Sequence, residues 1–257
     1  MVDTVDSLTA RLHDLLVTCL SGAPQRGDFA AGLHDVVARA APLGPDGAWL
    51  AAACHANLGD LAVAQGDVNR ALYHLDAAVT AGYNDCVALH LPSIRPLHQD
   101  PRFRFTYERM RITQGDFEEL VWLHREMQIT VSEAREATVD NIGRLDTGVS
   151  LLPQAPLPTR APHSPGLLIT RIELAALQSA LQQAAVKAEF GRSSGNTSLS
   201  LIDGSWDRTR ATFDAWHADD RDTRRRQEAE ARAFVERPGA GAVLLACPPL
   251  GSITYPG

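Results

Sequence analysis

Apolar residues recur at intervals of three and four along the first ninety residues, the spacing that places side chains on one face of an α-helix. In the first run the apolar positions are leucines, at Leu8, Leu12, Leu15, Leu16 and Leu20. The spacing predicts helices over 5–20, 29–41, 48–65 and 68–80, with a short one over 86–91. Asp28 precedes the second helix and is its predicted N-cap.

The pattern changes after residue 112. A long helix is predicted from Asp116 to about Leu145, and five prolines between 153 and 165 are typical of a stiff, extended linker. Beyond the linker, the predicted order is β-α-β-α-β, with strands at 167–170, 197–202 and 242–247 and helices at 173–190 and 206–235. One continuous helix over 167–190 fits the spacing nearly as well, so the C-terminal part is either α/β or helical.

A Gly-Asp pair recurs where one predicted helix ends and the next begins. Gly27-Asp28 and Gly66-Asp67 are 39 residues apart, and Gly115-Asp116 repeats the signal. An interval of about 39 residues lies in the range of periods that is typical of helical repeat arrays.

Residues 45–112 resemble tetratricopeptide repeats. That family's helix-turn-helix pattern is followed by Ala56-Asn57-Leu58-Gly59-Asp60, Gln65-Gly66-Asp67, Ala71, Leu75 and Ala78. The segments Ala81-Gly82-Tyr83, Ile94-Arg95-Pro96-Leu97 and Asp100-Pro101-Arg102-Phe103 resemble the end-of-group segment that closes such arrays in many bacterial proteins. Two positions depart from the pattern, because His55 and Ala62 stand where the family usually has a tryptophan and a tyrosine.

The resemblance implies a mainly α fold of tetratricopeptide-like hairpins. The expected parts are a repeat domain with its capping segment (1–112), a long helix (113–152), a proline-rich linker (153–166) and a small C-terminal domain (167–257). In the family, partners lie in a concave groove lined by the first helix of each hairpin. The positions that correspond here are Ala53, Ala56, Asn57, Asp60 and Val63.

The groove positions indicate what kind of partner they would take. None of them is basic, so a clamp for a terminal carboxylate is disfavoured, and an apolar helix fits better, including one of this chain's own C-terminal helices. The Asn57 amide can bracket a peptide bond of a partner or bond within its own turn, and both alternatives stay open.

Charge narrows the choice of partners. The chain has 24 basic and 31 acidic residues, a formal net charge of −7, which does not supply the general basic surface of a nucleic-acid binder. Arg224, Arg225 and Arg226 form a local exception. They could contact an anion or an acidic partner, although a solvated, mixed-charge helix is the simpler interpretation.

Searches for chemistry give no catalytic, metal or cofactor site. The four cysteines form no C-x-x-C pair, and the nine histidines form neither H-E-x-x-H nor His-x-x-x-His. The loop Gly191–Asn196 lacks the lysine of a P-loop.

These patterns favour a non-catalytic scaffold or adaptor with a protein partner, in a complex with itself or with another chain. The first twenty residues do not resemble a secretory signal and no apolar run is long enough to span a membrane, so we expect a cytoplasmic protein. Two alternatives stay open: an enzyme or enzyme subunit with its site in the C-terminal domain, and a transcriptional regulator with a helix-turn-helix around 126–145.

Overall fold

The computed structural model of the chain describes residues 3–21, 26–143, 162, 164–193 and 244–253. Within these ranges the fold is mainly α-helical, as predicted, with one small two-stranded sheet. In chain order the elements are α1 (Val5–Leu20), α2 (Arg26–Ala40), α3 (Ala48–Ala64), α4 (Val68–Thr80), α5 (Pro101–Arg109), β1 (Arg111–Thr113), α6 (Gln114–Gly143), α7 (Leu167–Ser193) and β2 (Leu244–Ala246).

The first two helices form an antiparallel pair. Thr4 begins α1 through a capping box in which its hydroxyl accepts from Ser7 N (3.1 Å) and Ser7 Oγ accepts from Thr4 N (3.0 Å). The prediction that Asp28 caps α2 is wrong, because α2 begins at Arg26 and Asp28 lies in its first turn. A carboxylate there still faces the positive end of the helix dipole.

The α3–α4 hairpin is the most closely packed part of the repeat region. Gly66 closes its turn with a φ of 75°, a left-handed conformation that favours glycine. Asp67 then caps α4 by accepting from Arg70 N (3.0 Å). A methyl group on Gly59 would lie 3.2 Å from Leu75 Cδ2, so glycine lets the two helices approach closely.

The segment after α4 covers the end of the hairpin. The predicted helix over 86–91 is a shorter 3₁₀ helix, Ala88–His90, and a second one spans Arg95–Leu97. Asp100 caps α5 by accepting from Arg102 N (2.8 Å), and Pro101 occupies the first helical position, where it has no N–H to leave unpaired. Phe103, which follows, is 1% exposed.

The strand over 167–170 was a wrong prediction, and the continuous helix was right: α7 runs from Leu167 to Ser193. It packs against both α1 and α6. Ile169, Ile172 and Ala176 form one buried row, while Leu167, Thr170 and Leu174 form another. Burial on two sides explains why the helical period was weak in the sequence.

The C-terminal strand prediction over 242–247 is confirmed for Leu244–Ala246, while Cys247 lies just after the strand and residues 242–243 lie outside the described part. This strand, β2, pairs antiparallel with β1, with Ile112 opposite Leu245. The predicted strand at 197–202 and helix at 206–235 lie outside the described residues.

The buried apolar residues form a core that extends from α1 to α7. The predicted domain boundary at 153–166 lies mostly outside the described residues, but the helix that follows it packs into the same core as α1 to α6. α6 is one continuous helix, so the described part of 126–145 contains no turn between two helices. None of the described helices has both the length and the apolar character needed to cross a bilayer.

Candidate functional site

The groove positions carried over from the family lie on α3, against which α7 packs. Ala53 and Ala56 are buried, Asn57 and Val63 are half-buried, and Asp60 is exposed. Their role in partner binding stays a prediction.

The chain's own helix contacts this groove at Asn57. Asn57 Nδ2 donates to Ala53 O (3.0 Å), one turn earlier, and lies 3.4 Å from Glu173 Oε1 on α7. The Asn57 amide therefore bonds within the chain, to its own helix and to α7.

A buried polar cluster centred on Asp85 holds α7 in place. The Asp85 carboxylate, 1% exposed, accepts from His124 Nε2 on α6 (2.8 Å), Thr170 Oγ1 on α7 (2.6 Å) and Ala88 N (2.8 Å). Burial opposes ionisation, but the charge and hydrogen bond of His124 outweigh it and leave the pKa of Asp85 below its usual value. Burial also opposes the charge on His124, yet Asp85 raises its pKa.

Two further carboxyl groups lie near this ion pair. Desolvation, and then the charge of Asp85, raise the pKa of Asp60 to about 7. The same two causes, with Asp60 added, raise the pKa of Glu173 to about 8. The Asp60 side chain itself is exposed at the surface.

The geometry of this polar cluster is that of a packing contact. His124 is 8% exposed and directs Nε2 at Asp85, so that nitrogen is engaged within the protein. Charge-assisted hydrogen bonds therefore join three parts of the chain: the segment between α4 and α5, helix α6, and helix α7.

Among the described residues, one open apolar surface lies along α4 and α5. Tyr73 on α4 is 67% exposed and Phe105 on α5 is 62% exposed. Between them lies an open depression of about 520 Å³. Its lining includes Asn69, Leu72, Tyr73, Asp76, Arg102 and Phe105. We call this the α4–α5 surface.

Charged groups frame the α4–α5 surface. The Arg109 guanidinium lies 5.3 Å from the centre of the Phe105 ring and pairs with Asp76. Arg102 donates to Asn69 Oδ1 (3.0 Å) and pairs with Asp100 (2.8 Å). An apolar ring with cationic groups beside it is suited to a partner that is both apolar and acidic.

A second depression, of about 430 Å³, lies on the other side of Tyr73 and is lined in part by His55, Asp76 and Thr80. At its edge the His55 and His74 Nδ1 atoms are 3.1 Å apart. The His34 ring centre lies 5.9 Å from that of His74. In the sequence these histidines occur once per predicted helix, 21 and 19 residues apart, and that spacing alone does not predict that their rings meet.

In the part of the chain that the structure describes, no three His, Cys, Asp or Glu side chains are grouped so that they could hold a metal ion as they stand. Arg224, Arg225 and Arg226 lie outside that part, so the predicted anion or acidic-partner contact stays a prediction.

Comparison with known proteins adds no family to these observations: no family model, no curated protein and no solved structure matches the chain.

Proposed function

We propose that this chain is a non-catalytic protein-interaction module that binds its partner on the α4–α5 surface. The observation that carries the proposal is the exposed aromatic pair, Tyr73 and Phe105, on either side of an open depression. Large aromatic side chains are enriched among the residues that supply most of the binding energy at protein interfaces.

The inner face of the hairpin supports the same choice of surface. Leu167, Ile169 and Leu174 of α7 are 0% exposed, so removing this helix to admit a partner would expose a large apolar area. Binding on the outer face does not require α7 to be removed, because the aromatic side chains there are already exposed to water. The free-energy cost of binding is therefore much lower on that face.

Charge indicates the chemistry of the partner. The segment 95–111 contains five arginines and two acidic residues, a local excess of three positive charges in a chain of net charge −7. The five arginines are exposed. We propose that the partner is an amphipathic helix with an acidic polar face, whose apolar side chains enter the depression between Tyr73 and Phe105.

The test compares three immobilised forms of the full chain in native extract: wild type, Tyr73→Ala/Phe105→Ala, and the control Leu20→Ala, which removes a 52% exposed side chain from α1. We expect wild type and control to retain the same protein in stoichiometric amount. Affinity for that purified protein should fall about 30-fold or more in the double variant, since it loses two anchoring side chains.

Equal retention by all three forms would place the interface elsewhere. Retention of no protein, together with turnover of a small molecule by the pure chain, would replace the proposal with the enzyme alternative.

A further inference from the structure

Three histidines from three successive helices converge beside the depression over α4. His34 lies on α2, His55 on α3 and His74 on α4. The His55 and His74 ring centres are 5.4 Å apart, with Nδ1 facing Nδ1 at 3.1 Å, and the His34 ring lies 5.9 Å from that of His74. Nothing in the proposed interface requires these rings to meet.

The facing nitrogens suit a metal ion as well as they suit a hydrogen bond. Without a metal, one Nδ1 must carry a proton and donate it to the other. In a tetrahedral zinc site, two imidazole nitrogens at the usual bond length are about 3.3 Å apart. Both rings would have to rotate so that the two Nδ1 lone pairs point at one shared ion.

A third ligand and a route for the ion are available at the surface. His34 is exposed, so its ring can turn towards the pair without disturbing the core. His55 also lines the open depression of about 430 Å³, which gives water and ions access from outside. Because three ligands are not yet in place in the described residues, His34 has to move to complete the set.

We propose that His55 and His74, completed by His34 and water, bind one divalent late transition metal ion of the zinc, nickel and copper group. Three imidazoles and no carboxylate favour these ions over Ca²⁺ and Mg²⁺, which take oxygen ligands. The bound ion would cross-link α2, α3 and α4. The proposal goes beyond the proposed function, because it does not depend on any partner.

The test is a Zn²⁺ titration of the full chain after treatment with a chelator. We expect about one equivalent to bind, Cu²⁺ to bind more tightly than Zn²⁺, and Ca²⁺ to give no saturable signal. With Cu²⁺, electron paramagnetic resonance should show nitrogen coupling, which distinguishes imidazole ligands from the thiols of the chain.

Three single variants assign the ligands, and His13→Gln on α1 is the control. His55→Gln and His74→Gln should each weaken Zn²⁺ binding about 100-fold, and His34→Gln about tenfold, while His13→Gln should leave it unchanged. Because His34 is exposed, its variant stays informative if a change at buried His74 impairs folding. Absence of saturable Zn²⁺ binding would overturn the proposal and leave a hydrogen-bonded imidazole pair, and so would unchanged binding in both His55→Gln and His34→Gln.

Discussion

Glu173 is one of the carboxyl groups through which the stability of the fold depends on pH. Its Oε1 lies 3.4 Å from Asn57 Nδ2, and burial first, then the charges of Asp85 and Asp60, raise its pKa to about 8. At a pH between its two pKa values, a carboxyl whose pKa is higher in the folded chain is protonated in the folded chain and ionised in the unfolded chain. It stabilises the fold at low pH, and this contribution declines as pH rises from about 4.5 towards about 8.

Replacing Glu173 by glutamine should remove this dependence. Between pH 5 and 8, the free energy of unfolding of Glu173→Gln should fall less steeply than that of wild type, by at most about 1.4 kcal/mol per pH unit. Urea denaturation at several pH values measures the slopes, with exposed Glu108→Gln as the control for loss of a charge. The same slope in Glu173→Gln and wild type would contradict the assignment.

Local helix caps could be predicted from the sequence, whereas contacts between residues far apart in the chain could not. Asp67 and Asp100 were predictable as caps, because each stands immediately before a helix. The contacts of His124 with Asp85 and of Glu173 with Asn57 join residues 39 and 116 positions apart. No local pattern encodes such pairs, so the polar cluster under α7 had to come from the structure.

Helices with distinct ends and one buried face were predicted best. α1 and α4 have the predicted bounds, since Thr4 caps the first and the Gly66-Asp67 turn sets the start of the second. α7 was ambiguous because it is buried on two sides, which weakens the period of 3.6 on which the prediction relied. A boundary after the prolines was inferred from local composition, and composition does not reveal that α7 returns to pack on α1.

The role of α7 in the core can be tested with two neighbouring residues. Ile169 is 0% exposed, whereas Leu168 is only partly buried against the core. Ile169→Ala should lower the free energy of unfolding by about 2–5 kcal/mol and Leu168→Ala by clearly less, as measured by urea denaturation.

A fragment of residues 1–152 should lose cooperative unfolding and bind a hydrophobic dye. A fragment as stable as the full chain would show that α7 is not part of one core.

At the scale of the whole molecule, the two sides of the α3–α4 hairpin differ in which side chains they expose to solvent. The inner side contacts α7 and lies near the Asp85 cluster, and Asp60 is an exposed carboxyl group on it. The outer side exposes Tyr73 and Phe105 beside Arg102 and Arg109. The resemblance predicts a partner on the inner side, whereas we propose one on the outer side because α7 already packs against the inner one.

Site-specific photocrosslinking tests this central claim most directly. A photoreactive phenylalanine analogue is placed at Tyr73 on the outer surface or at Asp60 on the inner one, and both forms are irradiated in native extract. The account predicts one discrete crosslinked protein from position 73, attached through an acidic amphipathic segment, and none from position 60. A discrete crosslink from position 60 with none from position 73 would contradict it.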